Sequence, residues 1–308
     1  MSYGFLATNN NNEVLISSDA RNLHFLVKDT SPIVTNSATA FGGFVELTYT
    51  ITSTVLPVPF FNMPTSGHYG IVGIKNTTGN TWKIKLIRSG TSTTYPALYV
   101  FVDARGIDNF VTDTYGLIVY MDDGTAAFDS RKGPLVVTGG TSVTHPVSPL
   151  TTSISSLADS QCGSGITHSE LTPDNNSLAY SVGTLSSNPI YHYSSLAQAE
   201  RQASFSGYDE DCLGLSAYGG CIGYGTVDAW VSTYWAFYRG GIKRTGSSIY
   251  AGWIAVLGGC YWSSWSDSNL IGIDVGGGSS AGGTFPYSNE TINLNSTAVI
   301  VGDGTRYD

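Results

Sequence analysis

The residues of this chain that could do chemistry are few and scattered. Asp209-Glu210-Asp211, beside Cys212, is its one tight acidic cluster. Paired carboxylates hydrolyse glycosides or hold a cation only when they face a common space. Successive residues of an extended chain point to opposite sides, so at most Asp209 and Asp211 share a substrate or ion. The cluster reads as an acidic loop leaving a helix. The histidines, His24, His68, His145, His168 and His192, form no His-x-x-x-His pattern, and are read as surface or interface side chains. Cys162, Cys212, Cys221 and Cys260 form no CxxC pair or two-Cys, two-His spacing, so they read as reduced, buried thiols. A Cys212–Cys221 bridge is the minor alternative. Asp122-Asp123-Gly124 lacks the alternating oxygen ligands of a calcium loop, and GGGSSAGG at 276–283 lacks the lysine of a phosphate cradle. No catalytic residue, metal site or cofactor is expected, and the chain is read as a non-enzyme.

Binding is better supported. Tyr261-Trp262-Ser263-Ser264-Trp265, followed by Asp267 and Asn269, sets flat rings among short polar groups. Such mixtures stack on the apolar face of a sugar and direct its hydroxyls. Tyr261, Trp262, Trp265, Asp267 and Asn269 are therefore candidate ligand-binding residues. Trp262 and Trp265 are three apart, so in a regular strand they face opposite sides and one is expected in the core.

These residues need a scaffold, and the composition names its class. Of 308 residues only 12% are charged, whereas 41% are apolar and 37 are glycine. Good helix formers are scarce, which predicts an all-β protein rich in turns. The net charge of −9 argues against a nucleic-acid partner. It divides unevenly: residues 1–150 carry 9 basic and 10 acidic side chains, and residues 151–308 carry 5 and 13. The N-terminal residues MSYGFLATNNNNE show neither the basic nor the apolar part of a signal peptide, and the apolar run around YAGWIAVLGGCYW is too short to span a bilayer. That run is read as buried strand, with no membrane insertion.

Strands are predicted at 44–51, where FVELTYTI alternates, and at 69–74, 82–87 and 98–102, with a turn at Asn76–Asn80. They suggest an N-terminal β-sandwich over 1–137. The uncharged, proline-containing stretch 138–154 is predicted to be an extended linker, and 155–308 a β-rich, Gly- and aromatic-rich domain facing outward. One short helix is predicted in SSLAQAERQASFSG, with Ser195 as cap and Gly207 as its end. Beyond it, strands are predicted at Trp230–Tyr238, Ile249–Leu257 and Tyr261–Trp265, and a closing strand at Ala298–Val301.

One stretch is written twice. Laid without a gap, Tyr3 falls on Tyr115, Gly4 on Gly116, Ser18 on Ser130 and Leu23 on Leu135, with Phe5-Leu6 on Leu117-Ile118 and Ile16 on Phe128. Each copy reads as a hairpin, turning at Asn9–Asn12 in one and at Asp122-Asp123-Gly124 in the other. A small residue after Tyr admits another chain segment, and the Ser after the second strand can bond main chain and end it. The two hairpins are read as edge elements that close the sandwich or dock on neighbouring subunits.

This Tyr-Gly hairpin, carried by Tyr115, Gly116, Leu117, Val119, Gly124, Phe128, Asp129 and Ser130, resembles hairpin modules of tailed-bacteriophage virion proteins, particularly tail-tip and fibre-associated subunits. The first copy keeps Tyr3, Gly4, Ile16 and Ser18 but has Asn12 for the Gly and Ser17 for the Asp. The resemblance spans about 45 residues of the first half, and implies a structural subunit of a phage virion, assembled in the host cytoplasm. A homotrimer joined to other virion proteins is the expected assembly, with a host cell-surface glycan or receptor as the outer partner. Two alternatives stay open, a capsid decoration protein and a carbohydrate-binding or carbohydrate-degrading tail module.

Overall fold

The computed structural model describes residues 6–8, 14–17, 22–37, 44–64, 66–90, 94–103, 115–147, 177–212, 224–267, 287–293 and 297–308. Their first half supplies β1 (Leu6–Thr8), β2 (Val14–Ser17), β3 (Leu23–Asp29), β4 (Ile33–Ser37), β5 (Phe44–Thr52), β6 (Val58–Asn62), β7 (Tyr69–Thr78), β8 (Thr81–Ser89), β9 (Leu98–Asp103), β10 (Ile118–Tyr120), β11 (Ala126–Asp129) and β12 (Val137–Val143). The second supplies β13 (Leu178–Ser181), β14 (Pro189–Tyr193), β15 (Gln198–Cys212), β16 (Tyr224–Thr245), β17 (Ser248–Asp267), β18 (Tyr287–Asn293) and β19 (Thr297–Asp303). The protein is all-β, and among the described residues the helical structure besides the strands is limited to short 3-10 turns. Among the described residues no helix is long and apolar enough to cross a membrane.

Period-two patterning explains the strands. In β5, Val45, Leu47, Tyr49 and Ile51 are buried while Thr50 and Thr52 are exposed. In β8, Lys83 and Lys85 are exposed and Ile84 and Leu86 are buried, as the alternation of a pleated strand requires. A glycine in the left-handed region, Gly79 at φ +55°, turns β7 into β8. The expected turn at 76–80 thus narrows to residues 79–80, and Asn76 and Thr78 lie in β7.

Two antiparallel sheets form the body. One has the order β12-β19-β14-β6-β9-β3; the other follows β13-β17-β16-β7-β8-β5-β4, with β15 added beside β16 and β18 beside β15. A single core cluster draws Leu47, Tyr49, Tyr69 and Ile84 from the larger sheet and Phe61, Val100, Tyr191 and Val301 from the smaller. The sheets therefore face each other across it. The buried Tyr49 keeps its hydroxyl satisfied, its Oη donating to the Pro96 carbonyl at 2.7 Å.

The expected division of the chain is corrected here. Strands on both sides of 138–154 share both sheets and one core: β14 pairs with β6, and β16 meets β7 at Ile242 and Tyr69. Residues 137–143 are no linker but β12, paired with β19. Alternation at one edge cannot reveal a partner more than 150 residues away, which is why composition suggested a boundary.

The expected helix is also corrected. Residues 198–207 lie in β15, in register with β16 and β18. Ala197 and Ala199 are buried whereas Leu196, Gln198 and Glu200 are exposed, a period of two. Ser195 is no cap: its N–H donates to the Ile71 carbonyl, and its hydroxyl donates to the carbonyl of Gly240. Pairing to two neighbours outweighs a helical pattern built on weak propensities. The same correction applies to Asp209-Glu210-Asp211, which lie in β15 with Asp209 opposite Asp228.

At Ser194 the larger sheet forks. Ser194 bridges Ile71 in parallel, and from there β15 lies beside β16 where β7 would have continued. Strands β16 and β17 run for 22 and 20 residues; beyond the fork they pair with each other, β15 pairs with β16, and β18 pairs with the other side of β15. At ~3.3 Å per residue β16 is ~70 Å long, against ~30 Å for a body strand such as β8. We call this part the arm.

Candidate functional site

The repeated hairpin is the site the sequence singled out, and its two copies fold alike. In β1–β2 the partners are Leu6 with Ser17, Ala7 with Ile16 and Thr8 with Val14, with an irregularity between Ala7 and Thr8. In β10–β11 they are Ile118 with Asp129, Val119 with Phe128 and Tyr120 with Ala126, with the irregularity between Val119 and Tyr120. Every pair, and the bulge, recurs at the same offset. Tyr3, Gly4, Ser18 and the turn at 9–12 lie outside the described residues.

The second copy shows what its residues do. Asp123 Oδ1 accepts from the Thr125 N–H at 2.9 Å, the Gly124 N–H donates to Met121 O at 2.9 Å, and Gly124 sits at φ +77°, so an Asp-stabilised turn closes the ribbon. Ser130 bonds main chain as expected, but across the hairpin: its Oγ accepts from Leu117 N at 2.9 Å, and its own N–H donates to Leu117 O at 3.0 Å. A Cβ on Gly116 would lie 2.3 Å from Arg131 Cγ and 2.8 Å from Ser130 Oγ. The Tyr-Gly step thus exists because the end of the hairpin folds over it. Phe128, Val119 and Ala127 form a small core of their own, joined by Met121.

Arg131, which the sequence reading missed, locks this arrangement. Its Nε and Nη2 each donate to the Asp129 carboxylate at 2.8 Å, and Asp129 Oδ1 also accepts the Arg131 N–H. Those bonds hold the Asp129 carboxyl below the usual carboxylate range. The sequence signal was an Asp and an Arg two apart at a strand end. On the body side the Asp129 N–H donates to His24 Nε2 at 3.0 Å. His24 is fully buried, and burial lowers its pKa below the usual value, keeping a neutral ring that can accept. Phe25 N to Gly133 O and Leu135 N to Leu23 O complete the anchorage to β3.

The hairpins are not edges of either large sheet, which corrects that expectation. Each is a separate two-stranded sheet. They lie next to one another, with β2 beside β11 and Asn22 N donating to Ala127 O at 2.8 Å. On the second copy, Tyr115 is 91% exposed, Tyr120 56% and Leu117 47%.

A second constellation sits at the root of the arm. His68 and His145 are buried, as is His24, and His192 is half-buried, against the expectation of surface side chains. A Cβ on Gly252 would lie 2.5 Å from His68 Nε2, and one on Gly240 the same distance from His145 Nε2. The glycines are there so that two imidazoles can lie directly on β16 and β17. His145 Nε2 and Tyr193 Oη are 2.9 Å apart, the His145 ring packs on Trp253, and Trp253 Nε1 donates to Pro146 O at 3.1 Å. Burial lowers both histidines to about 4, with Lys243 and His145 depressing His68 further. His168 lies outside the described residues. Among the described residues no three His, Cys, Asp or Glu side chains gather to hold a metal ion.

The candidate ligand-binding residues Tyr261, Trp262, Trp265 and Asp267 fall in β17, in the arm, with Trp262 opposite Ser232 and Trp265 opposite Ala229. Asn269 lies outside the described residues, as do Cys162, Cys221 and the loop at 276–283. Cys212 and Cys260 lie in β15 and β17. The chain matches no family model, no curated protein and no solved structure.

Proposed function

We propose that this chain is a non-catalytic structural subunit of a tailed-phage virion, a tail-fibre or tail-tip component that docks through its hairpins and presents its arm outward. One observation carries the reading: a ribbon written twice in the sequence folds twice with the same register and the same bulge. A duplicated, locally locked ribbon serves repeated contact between subunits better than it serves catalysis. The ~70 Å length of β16 favours the same reading, because an antiparallel arm carries residues such as Tyr261 and Trp262 away from the body toward a host-surface glycan or receptor. The proposed partners are further copies of the chain, as a homotrimer, and other virion proteins.

The test is immunogold labelling of intact particles with antibody to this chain. Labelled tails are the expected result. Labelled heads would replace the reading with a capsid decoration protein, and particles without label would overturn it.

A further inference from the structure

Each hairpin has an inner and an outer strand. The inner strands, β2 and β11, are the second strands of the two repeats and lie side by side. The outer strands, β1 and β10, are the first strands, and among the described residues neither has a strand partner on its far side. A two-stranded ribbon with an open edge is a template for further pairing. On β10 and the residues leading into it, that edge is lined by Tyr115, Leu117 and Tyr120, all exposed. Tyr115 contributes almost nothing to the fold at 91% exposure, yet it is one of the residues repeated between the copies, as Tyr3. A large aromatic side chain that is repeated but left in water is a contact residue waiting for a partner.

We propose that copies of this chain join head to tail through these ribbons, with β10 of one copy lying against β1 of the next. The occupant follows from continuity with the contact already present. Within the chain, second strand packs beside second strand; between chains, first strand meets first strand, and the row of ribbons continues. Each chain carries one β10 and one β1, so each copy binds two different neighbours. Such a heterologous contact closes into a ring when its rotation allows and grows into a fibre when it does not. This also gives a reason for two copies in one chain, since a single ribbon would supply only one of the two faces. The inference rests on the reading of the chain as a subunit of a multi-copy assembly.

The test uses two full-length variants, each blocking one face. Tyr115→Asp with Leu117→Asp places charge on the β10 side. Tyr3→Asp with Phe5→Asp places it at the matching positions of the first repeat. Unchanged circular dichroism and thermal midpoints show that each variant folds; for the β10 variant this is expected because Tyr115 and Leu117 are exposed. In sedimentation velocity the unmodified protein forms species larger than one 32.6 kDa chain. Each variant alone sediments as one chain, and their mixture forms a one-to-one heterodimer and nothing larger, because each still offers the face that the other lacks. The proposal is overturned if the unmodified protein is monomeric, if either variant assembles as the unmodified protein does, or if the mixed variants stay monomeric. Tail labelling combined with any of those outcomes would leave the virion reading standing and remove only this contact.

Discussion

Acidification should loosen the root of the arm before the rest of the body. His68 and His145 both titrate near 4 in the folded chain, chiefly because burial penalises their charged forms. An unfolded histidine titrates near 6.5. The folded values lie below the unfolded one, so the unfolded chain takes up these protons first. The stability contributed by the neutral rings is complete above about pH 6.5 and is lost as pH falls from there toward 4. Each ring loses about 1.4 kcal/mol per pH unit over that interval, roughly 2 kcal/mol by pH 5 and about 4 kcal/mol for the pair. That is a large fraction of the ~5–15 kcal/mol that holds a domain folded. The charged groups identified near the pair worsen the effect: Lys243 and the second imidazole repel the first. Urea unfolding at pH 7.5 and pH 5.0 measures the loss, and the double variant His68→Gln, His145→Gln isolates it. The variant should lose about 4 kcal/mol less than the unmodified protein between the two pH values, the remainder coming from His24 and His192, whose pKa values burial also lowers. Hydrogen exchange at pH 5 should appear first at 236–242 and 251–255. Equal pH dependence in the two proteins would refute the reasoning.

Substitutions at three sites, two of them with a control, test the packing directly. Gly116→Ala should cost about 1–3 kcal/mol by overpacking, because the Arg131 side chain lying 2.3 Å from the new carbon is held in place by Asp129; Gly73→Ala, with nothing within 4 Å, is the control and should be neutral or slightly stabilising in thermal melts. Tyr307→Ala should cost about 3–5 kcal/mol in denaturant unfolding, since its ring stacks on Phe25 at 4.9 Å and meets Phe101 edge-on. Tyr307→Phe should cost less, about 1–3 kcal/mol, because its hydroxyl both donates to Pro134 O and accepts from the Val136 N–H. Gly139→Ala should weaken the edge where β12 nears β13, because the added carbon would lie 2.3 Å from the Val182 carbonyl oxygen, a backbone atom that cannot swing aside; an unchanged thermal midpoint would contradict this contact.

Local pattern made the class of fold legible, and much of its detail. The alternation in FVELTYTI marked the buried face of β5 residue by residue, and the gapless match of 3–23 with 115–135 marked both hairpins before any pairing was known. These features depend on neighbours within a few residues, and a pleated strand writes them into the sequence with a period of two. The stretch around Ser195 carried two periods at once, helical through Leu196, Ala199 and Ala203, extended through Ala197 and Ala199 alone.

Which period prevailed, where the sheets begin and end, and how the halves combine were decided by contacts between distant segments. Ser195 is held by Ile71 and Gly240, β14 enters between β6 and β19, and residues 137–143 become a strand because β19 lies beside them. The buried histidines belong to the same class. His68 and His145 look like polar residues on loops until Gly240, Gly241 and Gly252, more than 90 residues further along, provide bare backbone for them to lie on. A side chain's burial depends on what the rest of the chain brings to it. One sequence read in order therefore marks the strands that alternate, such as β5 and β8, whereas only assembly in space decides strands such as β12 and β15 and which polar groups lose water.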